Sequence, residues 1–311
     1  MVVLFVATSG ALAQTYPSRP LRLLTPSSPG GSSDIIGRLL AQKLSEQLGQ
    51  QVIVENRAGA GGLIGYEYVA KSAPDGYTLM IAPSSIAINA SMYAKLPYAL
   101  RDFAPVTLLV AAANVLCVHP SLPAHSVKQL IELAKARPGT LVAGSAGAGT
   151  SPHLSLELFK SMTGADFVIV HYKGSGPGVI ALLSGENGLS MPSVPTIIQY
   201  LKNNRVRGLA VSTAKRTSML PALPTIAEAG VAGFESTNWF SIVMPAGTPA
   251  VIVERLNQEI VRAVRAPELR DRLSAEGADV IASTPDELGA YMKVEAEKWA
   301  RVVKAAGIKP E

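Results

Sequence analysis

One stretch limits the possible folds more than any other. A short apolar strand over 21–24 runs into the loop Thr25-Pro26-Ser27-Ser28-Pro29-Gly30-Gly31-Ser32-Ser33-Asp34 and then into an amphipathic helix. Ile36, Leu40, Leu44 and Leu48 recur every four residues, Ile35 and Leu39 widen the stripe, and Gly49 stops it. Ser32, Ser33 or Asp34 can cap this helix, because each offers a side-chain oxygen to the unpaired backbone N–H groups of the first turn. Gly30 and Gly31 let the backbone approach a ligand closely. The helix start carries partial positive charge and free donors, so a carboxylate or a phosphate fits there. The loop has no lysine and lacks the glycine spacing of a P-loop, and a strand-to-helix turn that binds nothing is written in the same residues.

Strand and helix signals alternate from there. Strands are predicted over 51–55 and 77–82, with a helix over 63–72 between them. The Gly-rich loop Asn56-Arg57-Ala58-Gly59-Ala60-Gly61-Gly62 precedes that helix. Such alternation argues for parallel strands joined by right-handed crossovers, with ligands outside the carboxyl ends of the strands. Ser27, Ser84 and Ser85 all follow strand ends, which predicts one shared rim. An extended segment over 106–119 reads as the first crossing into a second lobe. There the plan repeats: a helix over 127–136, a strand over 141–143, and the loop Gly144-Ser145-Ala146-Gly147-Ala148-Gly149-Thr150-Ser151-Pro152-His153 opening a helix that carries Leu154, Leu158 and Met162. Thr150 or Ser151 can cap that helix, and Pro152 suits its first turn. Strands over 167–171, 189–191 and 206–212 follow, then a return strand ending near Pro245 and helices over 249–264, near Pro267 and over 285–305. The reading is an α/β protein of two lobes, each a mostly parallel sheet flanked by helices, with a cleft between them. Residues 1–13 form a leader, 14–112 the first lobe, 113–225 the second lobe, and 226–311 the return segment and C-terminal helices.

The length of 311 residues suits about two domains with a large core. The net charge of +5 comes without a Lys/Arg run or a basic stripe interleaved with aromatics, which argues against nucleic acid and leaves a mild attraction for small anions. The apolar run Met1-Val2-Val3-Leu4-Phe5-Val6 and the small-x-small Ala11-Leu12-Ala13 read as the end of a secretory signal peptide, with Gln14 opening the mature chain. No Lys or Arg precedes the run, so the start can lie upstream. The run is far shorter than the roughly 20 residues of a membrane span. The single cysteine, Cys117, excludes an intrachain disulfide and reads as a small buried hydrophobe.

Some side chains invite a catalytic reading. Ser145 sits one residue short of a G-x-S-x-G elbow, since Ala143 replaces the first glycine; with His153 or His171 and Asp34 it sketches a serine hydrolase. His119, His125, His153 and His171 show no i, i+4 pair, and no metal or cofactor is predicted. Lys173 reads either as a cationic ligand contact or as a solvated loop lysine. Tyr172 can stack on a ligand or close a lobe. Asp34 suits capping better than anion binding. Trp239 and Phe240 read as hinge or core aromatics.

Further segments carry a family signature. They are 26–34, Val54-Glu55-Asn56-Arg57-Ala58-Gly59-Ala60-Gly61-Gly62, Pro74-Asp75-Gly76-Tyr77-Thr78-Leu79, Gly149-Thr150-Ser151-Pro152-His153-Leu154, Tyr172-Lys173-Gly174, Leu220-Pro221-Ala222-Leu223-Pro224-Thr225-Ile226-Ala227-Glu228-Ala229-Gly230 and Pro245-Ala246-Gly247-Thr248-Pro249. In this order, over about 16–309, the chain resembles the periplasmic solute-binding proteins of tripartite tricarboxylate transporters, also called Bug proteins. The resemblance implies a type II periplasmic-binding fold with two crossings between lobes. It implies a carboxylate-bearing metabolite in the cleft, held through backbone amides and ordered water. It points to Ser27, Gly30, Gly31, Ser32, Asp34, Ser84 and Ser85 in the first lobe, and to Ser145, Gly149, Thr150, Ser151, His153, Tyr172 and Lys173 in the second. It implies an exported monomer in the periplasm that serves membrane permease subunits, without catalysis. One departure concerns the pocket floor: Gly188 stands where the family has an acidic residue, and Pro192 and Ser193 replace polar residues common there. A periplasmic sensor feeding a signalling receptor and a hydrolase using Ser145 are the rival readings.

Overall fold

The computed structural model describes residues 16–305, 307 and 308, and the leader predicted over 1–13 lies outside them. The first lobe opens with β1 (Leu21–Thr25), α1 (Ser32–Leu48), β2 (Val52–Asn56), α2 (Leu63–Ala70) and β3 (Thr78–Pro83). β1 pairs in parallel with β2 on one side and β3 on the other. Ile36, Leu40 and Leu44 of α1 bury their side chains against Leu21 and Leu23 of β1, as the four-residue repeat demands. Each such burial contributes about 1.5–3 kcal/mol. α3 (Ser85–Met92) follows β3 at once, and β4 (Phe103–Ala113) carries the chain to the lobe boundary. β5 (Val115–Val118) already belongs to the second sheet, so Asn114 alone makes the first crossing.

The second lobe contains α4 (Val127–Ala136), β6 (Val142–Ser145), α5 (Ser151–Thr163), β7 (Val168–His171), α6 (Ser175–Ser184), β8 (Leu189–Ser190), α7 (Val194–Lys202) and β9 (Arg207–Val211). β10 (Thr237–Pro245), α8 (Ala250–Arg265), α9 (Pro267–Ala275), β11 (Ala278–Val280) and α10 (Pro285–Ala305) rebuild the first lobe. The sheets run β11-β4-β10-β3-β1-β2 and β7-β6-β8-β5-β9.

Two details differ from the sequence reading. The parallel order holds for β1 to β3 and for β6 with β7 and β8, but β10 is antiparallel to both β3 and β4, and β5 to β8 and β9. The sheets are mixed because the strand that leaves a lobe and the strand that returns lie side by side in opposite senses. The return also comes later than residue 226: Ile226, Val231 and Phe234 pack into the second lobe's core, and the first sheet resumes at Thr237.

The two crossings are bound together. Ser212 N–H donates to the Asn114 carbonyl at 2.9 Å, and Ser236 N–H donates to the Ser212 carbonyl at 2.9 Å. Asn114 N–H donates to Ser212 Oγ at 2.9 Å. Asn114, Ser212 and Ser236 are all fully buried, so each bond is made away from water.

Behind the first sheet, one carboxylate organises the C-terminal helix. Glu295 Oε2 accepts from Trp239 Nε1 at 3.0 Å and from Trp299 Nε1 at 3.1 Å. Glu295→Ala leaves two buried indole donors without a partner, an expected loss of about 3 kcal/mol. Urea unfolding checks this; a loss below about 1 kcal/mol means that the indoles are satisfied elsewhere.

Candidate functional site

A cleft of about 240 Å³ lies between the lobes, at the carboxyl ends of β1, β3, β6 and β7. Four helix starts reach it: Ser32 and Ser33 of α1, Ser85 of α3, Ser151 and Pro152 of α5, and Ser175 of α6. Each brings unpaired N–H groups and about half a positive charge. Among the described residues, none that lines the cleft is Asp, Glu or Arg. Such a site favours an anion held by backbone amides and hydroxyls.

The first-lobe loop is braced from behind. Thr25, Ser27 and Ser33 join hydroxyls, with Ser27 Oγ 2.6 Å from Ser33 Oγ. Asp34 is buried and accepts from Gly30 N–H at 2.9 Å, from Asn56 Nδ2 at 2.9 Å and from Arg38 Nη2 at 2.9 Å. Burial works to raise its pKa, but the Arg38 guanidinium, the Gly30 amide and the Asn56 amide outweigh it and hold the carboxyl below the usual carboxylate range. Asn56 also donates to the Ser27 carbonyl at 3.0 Å, which ties the end of β2 to the loop.

The second-lobe wall is braced in the same way. Thr150 Oγ1 donates to the Gly147 carbonyl at 2.6 Å. Asn114 Nδ2 donates to Ser151 Oγ at 2.8 Å, so the α5 start is fastened to the first crossing. Tyr172 lines the cleft with its hydroxyl turned to Glu186, 2.8 Å away.

The lobes touch along two glycine seams. On one side, a Cβ on Gly61 would stand 2.1 Å from the Ala148 carbonyl oxygen, and one on Gly149 would stand 2.2 Å from Asn89 Oδ1. On the other, Cβ atoms on Gly174 and Gly176 would meet Ser28 Oγ at 2.4 Å and the Pro29 carbonyl at 2.8 Å. Ser32 Oγ bridges to Thr196 Oγ1 at 2.6 Å, and Asn238 joins Ser84 to Ser193.

Residues 36–308 match the tripartite tricarboxylate transporter family receptor. The chain belongs to this family. Protein BugT of Bordetella pertussis is 38% identical over 99% of this chain and 97% of its own. The R. palustris protein Rpa4515, solved with adipate, superposes with a TM-score of 0.93 at 38% identity, covering 95% of this chain and all of that one. MatC from Rhodopseudomonas palustris, solved with bound malate, superposes with a TM-score of 0.89 at 29% identity, covering 93% of this chain and all of that one.

As a tripartite tricarboxylate receptor the protein is a solute-binding component of a transport family and not an enzyme. The hydrolase reading is set aside with it. Ser145 Oγ does lie 2.6 Å from His171 Nδ1, but Ser145 is buried outside the cleft lining. Asp34, its imagined third member, sits in the other lobe and is committed to Arg38.

Of the residues singled out in the sequence, Ser27, Ser32, Ser85, Thr150, Ser151, Tyr172 and Lys173 line the receptor's cleft. Others stand behind it. Gly30 turns the loop at φ +77°, and Gly31 packs tightly over Ser27 instead of facing the cleft. Asp34 braces the loop, and Ser84 donates to Asn238. Ser145 and His153 are buried, His153 Nδ1 accepting from Gly149 N–H at 3.2 Å. The sequence reading missed Gly59 to Gly62, Tyr93, Ala146 to Ala148, His171, Asn238 and Phe240 as lining. The Gly-rich loop after β2 was a usable signal for the first of these.

Two variants test this geometry. Asp34→Asn should cost about 1–2 kcal/mol at pH 7. Because the folded pKa is depressed, the wild-type advantage exists above about pH 4, the unfolded value, and fades as pH falls through the folded one. Unfolding curves of both proteins from pH 7 to pH 3 should therefore converge. Gly61→Ala should unfold only about 1 kcal/mol more easily, because a single left-handed alanine is tolerable. It should nonetheless keep the seam from shutting, seen in small-angle scattering as a larger radius of gyration.

Proposed function

We propose that this receptor captures a small carboxylate-bearing metabolite between its lobes in the periplasm, closes by a hinge motion and delivers the ligand to the membrane subunits of a tripartite-type transporter. The observation that carries this reading is the convergence of four helix starts on a cleft with no acidic residue among its described lining. A carboxylate placed there accepts several backbone hydrogen bonds at once, and each is strengthened by charge. The paired crossings give the lobes a common axis to turn about. The adipate-bound and malate-bound relatives, covered from end to end at this similarity, support a carboxylate as ligand. The family supports export and a transport partner.

A thermal-shift screen against mono-, di- and tricarboxylates, aromatic acids and acidic amino acids tests the reading. A ligand at about 100 times its dissociation constant stabilises by roughly 2.7 kcal/mol, a rise of several degrees at this size. A flat panel on protein shown by native mass spectrometry to be empty overturns it.

A further inference from the structure

Behind the crossings the lobes face each other a second time. A cavity of about 200 Å³ lies there, between Ala111, Ala112, Ala113 and Asp279 of the first lobe and the 213–217 loop of the second. Strand order sets it apart from the cleft. In the first sheet the cleft lies at the ends of β1 and β3, β10 and β4 come next, and β11 with Asp279 forms the far edge. In the second sheet the cleft lies at the ends of β6 and β7, and β9, which leads into the 213–217 loop, forms the far edge. The crossings at Asn114, Ser212 and Ser236 therefore stand between cleft and cavity. A rotation about them that parts the lobes at the cleft draws them together at the cavity.

Opposite charges flank this cavity. Asp279 sits opposite Ala111 in the register of β11 with β4, and Lys215 and Arg216 line the cavity from the loop. Arg216 is engaged within its own lobe, with Nε 2.8 Å from Glu228 Oε2. Asp279 and Lys215 are exposed, and neither has an ion-pair partner among the described residues. The Lys215 carbonyl accepts from Thr213 Oγ1 at 2.7 Å, which fixes the turn that carries the side chain. Three alanines at the end of β4 leave room for an approach. In this structure the lobes are shut, since the glycine seams are in contact.

We propose that Asp279 and Lys215 pair when the cleft opens, so that the back of the hinge carries a latch for the open receptor. The proposal rests on closure by hinge motion in the receptor reading. An ion pair between exposed side chains is worth little, and salt screens it. Here it is made in one form and broken in the other, so its whole worth falls on the balance between them. A ligand that binds the shut form then binds more weakly, by the factor with which the latch favours opening. The latch lies outside the cleft, so it sets affinity without touching the ligand.

Spin labels on Ile53→Cys and Val168→Cys, exposed sites on the outer edge strands β2 and β7, report the opening in the full chain by pulsed electron resonance. Cys117 is fully buried and stays unlabelled. The distance is followed as adipate is titrated in, and the midpoint of the change to the shorter distance is read. Asp279→Lys sets like charges across the cavity, and Lys215→Glu does the same. Each should lower the midpoint about threefold at low salt. The double swap Asp279→Lys with Lys215→Glu should restore the wild-type midpoint. At about 0.5 M salt the variants should converge on the wild type. Single variants with an unchanged midpoint, or a double swap that does not restore it, overturn the latch and leave the receptor reading intact. A wild-type distance that ignores adipate and every other carboxylate of the thermal-shift panel overturns hinge closure and the latch together.

Discussion

Two strands pass between the lobes, and the hydrogen bonds that tie them at Asn114 and Ser236 are the constraint on which the rest of the molecule depends. Asn114 and Ser236 do not bond each other directly; Ser212 stands between them and bonds both backbones. Asn114 Nδ2 then donates to Ser151 and Ser155, and Ser155 shares its hydroxyl with Ser236. These groups are fully buried or nearly so, and a buried donor or acceptor left unmade costs far more than a made one gains. The crossings therefore move together. Because Ser151 opens α5 and faces the cleft, the hinge and the ligand wall are one hydrogen-bonded unit.

The cleft shows how a protein can attract anions while keeping acidic side chains out of the described lining. The positive potential comes from backbone dipoles that point inward from both lobes. Asp34, whose charge would oppose an anion at the α1 start, is turned away and neutralised by Arg38 and two amide donors. The seams use glycine for a separate reason. A cleft that shuts on backbone needs the two chains to approach closer than any side chain permits, and Gly61, Gly149 and Gly174 sit where that approach occurs.

Much of the fold was legible because it is local. α4 and α10 occupy the spans that periodicity predicted, since each has a clear stripe and a clear start. α3 was not legible: Ile86, Ala87, Ile88, Asn89 and Met92 are buried on nearly every side, so no face of it is polar. α6 was hidden by Ser175-Gly176-Pro177-Gly178, which reads as a turn. Those glycines are there because Gly176 abuts the Pro29 carbonyl and Gly178 the Ser145 carbonyl, contacts made across the fold. α7 did carry its signals, Ser193 before it and Pro195 in its first turn. The site divides similarly. Hydroxyls at helix starts could be read locally, whereas Asn238 and Phe240 reach the cleft only because β10 inserts between β3 and β4.

Leu154 of α5 packs with Ile88 and Met92 of α3 and with Trp299 and Val303 of α10, all of them fully or almost fully buried. This cluster joins the second lobe to the back of the first. Parting the lobes uncovers it, and fresh apolar surface raises heat capacity. Closure on a ligand therefore carries a negative heat-capacity change beyond that of the ligand's own burial. The balance between open and shut forms then shifts with temperature even when nothing is bound. Around ambient temperature, warming strengthens the apolar contact and favours the shut form, and cooling loosens it.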